Sequence, residues 1–256
     1  MRSLLAFTKK EFTEQIRTGR LIITLALFIV LGIMNPAIAK LTPWILDMLS
    51  DALAESGMTI TTAQVSALDS WMQFYKNLPI GLIAFVLLHG TVFTREYGAG
   101  TLVLSLTKGL KRYKVVVAKS LSLTAIWSFS YWLCFAITYL YNSYYWDNSV
   151  ASSLGLSAVM WWLFGVFVIS LTVLISSASL SGTAVLMGAG GAVLALYVVG
   201  LLPKIGKYMP TSLMSGTSLV YGVTKPSEYV AAIIITAVLT VSSFAASIPL
   251  FNKKQL

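Results

Sequence analysis

Long apolar runs, each about the length of a membrane crossing, alternate along this chain with short stretches that hold most of its charge. Six runs stand out, at about 21–39, 77–94, 120–141, 154–176, 182–202 and 229–251. A helix needs roughly 20 mostly apolar residues to cross the hydrocarbon core. The first run is the cleanest, since Leu21 to Ile33 carries no charge. Only Ser177-Ala178-Ser179-Leu180-Ser181 separates the fourth run from the fifth, which predicts a tight antiparallel hairpin. The pattern predicts an all-α polytopic membrane protein with six transmembrane helices. It leaves no stretch long enough for a separate soluble domain, so residues 1–256 read as one transmembrane domain.

The pieces between the runs carry their own periodicity. Residues 1–20 predict an amphipathic helix lying along the membrane interface. Leu4, Leu5, Phe7, Phe12 and Ile16 form its apolar stripe, and Lys9, Lys10, Glu14 and Arg17 face water or headgroups. After the first run, Thr42-Pro43 reads as a helix start. Ile45, Met48, Leu49, Ala52 and Leu53 then recur at helical spacing, and Gly57 is the expected stop. A second helical run, Ala63 to Tyr75, leads into the second span. Short external helices are therefore expected after span one, and again between spans five and six, where 203–228 lies flat or re-enters. Asn35-Pro36 is expected to break the end of span one, and Pro79 the start of span two.

Composition agrees with the pattern. The chain is 57% hydrophobic and 11% charged, with mean hydropathy +0.81; soluble domains carry about 25% charged residues. The net charge of +9 would suggest nucleic acid in a soluble protein. Here the basic residues flank the spans, so membrane orientation explains them and no nucleic-acid partner is expected. Thirteen of the 18 lysines and arginines fall in the N-terminal segment, the 95–119 loop and the tail. The positive-inside rule then puts both termini in the cytoplasm. Ala37-Ile38-Ala39 resembles a signal-peptidase site, but the preceding charged segment holds Glu11 and Glu14 and the apolar run is long enough to span, so an uncleaved first helix is the reading.

What is absent narrows the chemistry. His89 is the one ionisable residue well inside a predicted span, with Arg95 and Glu96 at that span's cytoplasmic end. Ion-coupled transporters place carboxylates or histidines in the membrane, and no acidic residue lies there. His89-Gly90-Thr91-Val92-Phe93 lacks the glutamate and second histidine of a zinc protease. The single cysteine, Cys134, excludes an internal disulfide and any multi-cysteine metal site, so no metal site is expected. Gly188-Ala189-Gly190-Gly191 lacks the Lys-Ser/Thr of a phosphate loop and reads instead as close helix packing, together with Gly182 and Gly200. The chain is therefore not an enzyme in itself and binds no cofactor.

Charge, glycine and helix signals meet at one place, Glu96-Tyr97-Gly98-Ala99-Gly100-Thr101-Leu102, trailed by Lys108, Lys111, Arg112 and Lys114. Gly98 and Gly100 permit a sharp exit from span two, and Thr101 suits the cap of a new short helix. Leu102, Leu104 and Leu106 offer apolar contacts. Glu96 is placed to pair with Lys9, Lys10 or Arg17 of the N-terminal helix.

This segment, with Tyr208-Met209-Pro210 before the last span and the order of the parts, resembles the permease subunit of a type-2 ABC exporter. The resemblance covers nearly the whole chain. It implies a separate ABC ATPase subunit that binds ATP and Mg, a second permease copy or paralogue, and a pathway between them in a cell membrane, most naturally a bacterial one. It makes Glu96, Gly98, Gly100, Thr101 and Leu102 the ATPase-coupling residues, with Lys9, Lys10 and Arg17 as their N-terminal helix contacts. Spans two and five would line the pathway, and an apolar lining suits a peptide, lipid-like or drug cargo drawn from membrane lipid. A second class remains open: a membrane scaffold, sensory or immunity factor that binds a peptide or partner through its external helices.

Overall fold

The computed structural model describes residues 2–55, 65–107 and 109–253, and among these there are ten α-helices and no strand. They are α1 (Arg2–Arg17), α2 (Arg20–Glu55), α3 (Ala67–His89), α4 (Val92–Gly98), α5 (Thr101–Thr107), α6 (Arg112–Tyr145), α7 (Leu154–Ala178), α8 (Gly182–Gly200), α9 (Gly216–Val220) and α10 (Val230–Lys253). Six segments are long and apolar enough to cross a membrane: Arg20–Met48, Ala67–Gly98, Arg112–Tyr145, Leu154–Ala178, Gly182–Gly200 and Pro226–Lys253. α1, α4, α5 and the end of α10 gather at one end of the bundle, termed here the terminal face. The 203–229 segment closes the opposite, far face.

Three expectations about proline are overturned. α2 runs unbroken through Pro36 and Pro43, and α3 through Pro79. No separate helix therefore starts at Thr42-Pro43; α2 simply continues to Glu55. Gly57 and residues 56–64, including Ala63, lie outside the described residues. At Pro36 the reason is visible. A proline removes the hydrogen bond to the carbonyl four residues back, here that of Gly32. Thr138 of α6 donates its hydroxyl to that carbonyl at 3.1 Å. Thr138 in turn accepts from Asn35 at 3.2 Å, and Asn35 accepts from Asn77 of α3 at 2.8 Å. Neighbouring side chains thus re-satisfy the freed backbone, the condition under which proline persists in a membrane helix.

The start of α3 follows ordinary capping. The Ser66 hydroxyl accepts from Leu68 N–H at 3.2 Å, and the Asp69 carboxylate accepts from Ser66 N–H at 2.8 Å, which together satisfy orphan donors of the first turn. α7 sits centrally, packed against α6, α8 and α10, while α2 packs on α3 and α6. The α7–α8 connection is the expected tight hairpin, Ser179-Leu180-Ser181. A column of rings fills the centre: Trp127 lies 5.7 Å from Phe28, 5.5 Å from Phe85 and 5.6 Å from Tyr131. Cys134 is buried in the same core.

On the far face, 203–229 folds back over the bundle as three short 3-10 turns and α9. Trp161 Nε1–H donates to Met214 O at 3.1 Å, Ser157 donates to Gly216 O at 2.9 Å, and Ser152 N–H donates to Val220 O at 2.9 Å. These bonds anchor the segment to α7 and to the loop before it. The expected glycine packing of span five is only partly realised. Gly188 faces Ile175 and Gly182 faces Thr91, whereas Gly190 and Gly191 face open space.

Candidate functional site

α3 ends at His89, and a two-residue turn at Gly90-Thr91 leads into α4. His89 is buried, its Nε2 lying 2.9 Å from the Thr24 hydroxyl and its ring against Phe85. α4 ends in a second turn, where Gly100 takes φ +67°; this left-handed conformation favours glycine. Gly98 is helical, so the sharp exit falls to Gly100 alone. Thr101 is the first residue of α5 rather than a cap before it. A further left-handed glycine, Gly109 at φ +86°, precedes α6. α6 begins at Arg112, so Lys114 and Lys119, expected in a loop reaching to 119, belong to a helix.

The hydrophobic stripe expected on α1 is also redistributed. Leu5 and Ile16 are exposed, and the buried face carries Phe7, Glu11 and Gln15. A glutamate buried in an apolar setting is costly unless paired. Glu11 is paired: its Oε2 accepts from Lys119 Nζ at 2.8 Å. The Lys119 ammonium, with no exposed side-chain surface, reaches Glu96 Oε2 at 3.0 Å and lies 5.5 Å from the centre of the Phe93 ring. Lys10 completes the cluster. It bonds Glu96 Oε1, Glu11 at 3.2 Å and, one helical turn along, Glu14 at 2.8 Å. Three carboxylates and two ammoniums from α1, α4 and α6 thus share one partly buried site. Glu11, Glu14 and Glu96 approach within 4.8 Å of one another, but the two ammoniums already occupy the space a cation would take.

Burial by itself would lower the pKa of Lys10; hydrogen bonds and charge from Glu14, Glu96 and Glu11 outweigh it and hold the ammonium well above its ordinary range. Burial likewise pushes Glu14 up, but the Lys10 ammonium prevails and holds its carboxyl below the usual range. Around the cluster, Lys114 Nζ donates to Ser3 Oγ at 2.7 Å. Arg112 donates to Asn252 O at 3.0 Å, placing a cation at the C-terminal end of α10, where the helix dipole favours it.

Of the residues singled out in the sequence, Glu96 and Lys10 meet. Lys9 and Arg17 are exposed and form no ion pair among the described residues. Leu102 is buried, its side chain packing inside the chain. Leu106 is partly buried against the core. The Leu104 side chain and Lys108 lie outside the described residues. Gly98, Ala99 and Thr101 form an exposed tip directly beyond the cluster. Sequence reasoning missed Glu11 and Lys119. Glu11 interrupts a hydrophobic helix face between Phe7 and Gln15, and that signal was available.

A model of the ABC-2 family transporter proteins matches residues 5–256. The chain belongs to the ABC-2 transporter family. No curated protein matches it. Membership makes the chain a membrane-spanning transporter component, and the matched range takes in the charge cluster, the 98–101 tip and all six spans.

Proposed function

We propose that this ABC-2 protein is the permease subunit of an exporter driven by a separate ABC ATPase, which binds the ATP and Mg that this chain does not. The ATPase docks on the exposed 98–101 tip from the cytoplasm of a bacterial cell, and a second permease copy or paralogue completes the pathway. The cargo is hydrophobic or amphipathic and enters from the membrane. The observation that carries this reading is the cluster of Lys10, Glu11, Glu14, Glu96 and Lys119 immediately behind the tip. A force on α4 meets α1 and span three through ion pairs rather than through loop backbone. Breaking a buried pair strands a charge, so the three helices move as one body.

Reconstitution with the cognate ATPase tests the proposal. Glu96→Gln should leave ATP hydrolysis in place and lower transport about tenfold, the scale of an ordinary coupling free energy. Transport by the purified chain with no ATPase present would refute it.

A further inference from the structure

Two cavities meet at Tyr197. The first, of about 370 Å³, lies between α3 and α8, with Leu82, Val86 and Leu87 on one wall and Leu186, Val193 and Leu194 on the other. It follows α8 from Leu186 to Tyr197. At 1.5 Å per residue that is roughly 16 Å, about half of the ~30 Å hydrocarbon core and so one leaflet deep. The second cavity, of about 380 Å³, opens at the far-face end of α8, where Tyr197, Gly200 and Leu201 border the folded-back 206–229 segment. Both fall within the roughly 300–1,000 Å³ of small-molecule sites.

The second cavity differs in chemistry. Its charged lining residues are Lys207 and Glu228, one of each sign, and Thr211, Ser212 and Ser215 add hydroxyls. Glu228 is held in place because one carboxylate oxygen accepts from Lys225 N–H at 2.9 Å. Lys207 and Glu228 form no ion pair among the described residues; the Lys207 ammonium lies 4.9 Å from the centre of the exposed Tyr208 ring, and both charges line the cavity. The edge of the cavity is backbone. A Cβ on Gly206 would stand 2.1 Å from the Gly200 carbonyl oxygen, so the chain crosses the end of α8 with no side chain intervening.

We infer that the two cavities form one site for a zwitterionic phospholipid. An acyl chain lies along α8, the phosphate meets Lys207, and the headgroup amine meets Glu228. A purely apolar occupant, such as a helix from a second copy, would fill the groove but leave the two opposite charges at its end unused. The inference gives the amphipathic cargo of the preceding reading a chemistry, and rests on that reading only for the step from binding to transport.

The full chain is extracted in mild detergent from membranes holding equal amounts of ethanolamine- and glycerol-headgroup phospholipids, and the retained lipid is measured by mass spectrometry. Ethanolamine lipid should be enriched, and Glu228→Gln, which removes the carboxylate that meets the amine, should cut that enrichment about tenfold, the loss of one charge-assisted hydrogen bond. Gly190 lines the groove with no atom near its missing Cβ. Gly190→Leu should therefore fold normally, keep its melting temperature and lose the retained lipid. Equal retention of both headgroups, full retention by Gly190→Leu, or a photocrosslinker at Leu194 reaching a second copy instead of lipid would overturn the site. Selective retention without ATP-driven lipid movement would leave the site standing and sink the export reading instead.

Discussion

α7 and α8 form one hairpin and are both strongly apolar, yet 67% of the apolar stretch of α7 is buried inside the protein against 11% of that of α8. α7 is the hub against which α6, α10 and the far-face segment pack. α8 leans on the bundle along one edge and leaves its other faces to lipid or a partner. In water, apolar surface left this bare would be destabilising; in a bilayer it costs nothing, because lipid tails are as apolar as leucine. Hydropathy therefore reports that both helices enter the membrane, and internal packing alone separates scaffold from working surface.

The comparison can be broken most severely at the charged root of the packed region. Lys119→Ala leaves Glu11 and Glu96 with only the half-exposed Lys10 as a cation, and should cost about 3 kcal/mol of stability, read as a lower melting temperature in detergent. Next is the packed hub itself. A Cβ on Gly165 of α7 would stand 2.1 Å from Trp127. Gly165→Leu should destabilise by about 3 kcal/mol through overpacking. Gly191→Leu on α8, where nothing lies within 4 Å, should stay within about 0.5 kcal/mol. Equal losses at the two glycines would erase the distinction between the helices.

A finer test lies at the Pro36 relay. Thr138→Val should cost about 1 kcal/mol, a typical intramembrane hydrogen bond. Pro36→Ala should rescue it by restoring a backbone N–H to Gly32 O; failure of the rescue would mean the Thr138 bond does not answer the proline. The smallest effect is with pH. The lowered Glu14 pKa contributes stability above its ordinary 4.5, lost as pH falls through the folded value. The raised Lys10 pKa contributes below its ordinary 10.5, lost as pH rises through the folded value. Melting temperature should therefore be flat between these limits, and Lys10→Met should shrink the acid-side loss, because Glu14 then no longer gains from folding as a carboxylate.

The six spans were legible because length and apolarity alone decide them. The prolines misled because the rule for them is local, whereas the group that answers Pro36 sits 102 residues away on α6. Glu96 drew attention as a charge at a span end, and Lys10 was among its three named partners. Lys119 read as one more basic residue of a loop because its burial depends on where α6 begins and on which face of α1 turns inward. The glycines of span five gave no hint of orientation; small residues permit a close neighbour without showing that the same chain supplies it.

The ring column has an optical consequence. Trp71, Trp127 and Trp161 are sealed from solvent and lipid, whereas Trp44 is 61% exposed. Indoles fixed among other rings, Trp127 by Phe28, Phe85 and Tyr131, Trp71 by Phe74 and Phe135, and Trp161 by Phe164, lie in an asymmetric, rigid setting, the condition for a near-ultraviolet dichroic band. Brominated lipid should quench Trp44 and spare the sealed three. Of the seven tryptophans, the exposed Trp44 thus reports on the bilayer and the sealed three on the tightness of the interior, with Trp132, Trp146 and Trp162 between these extremes.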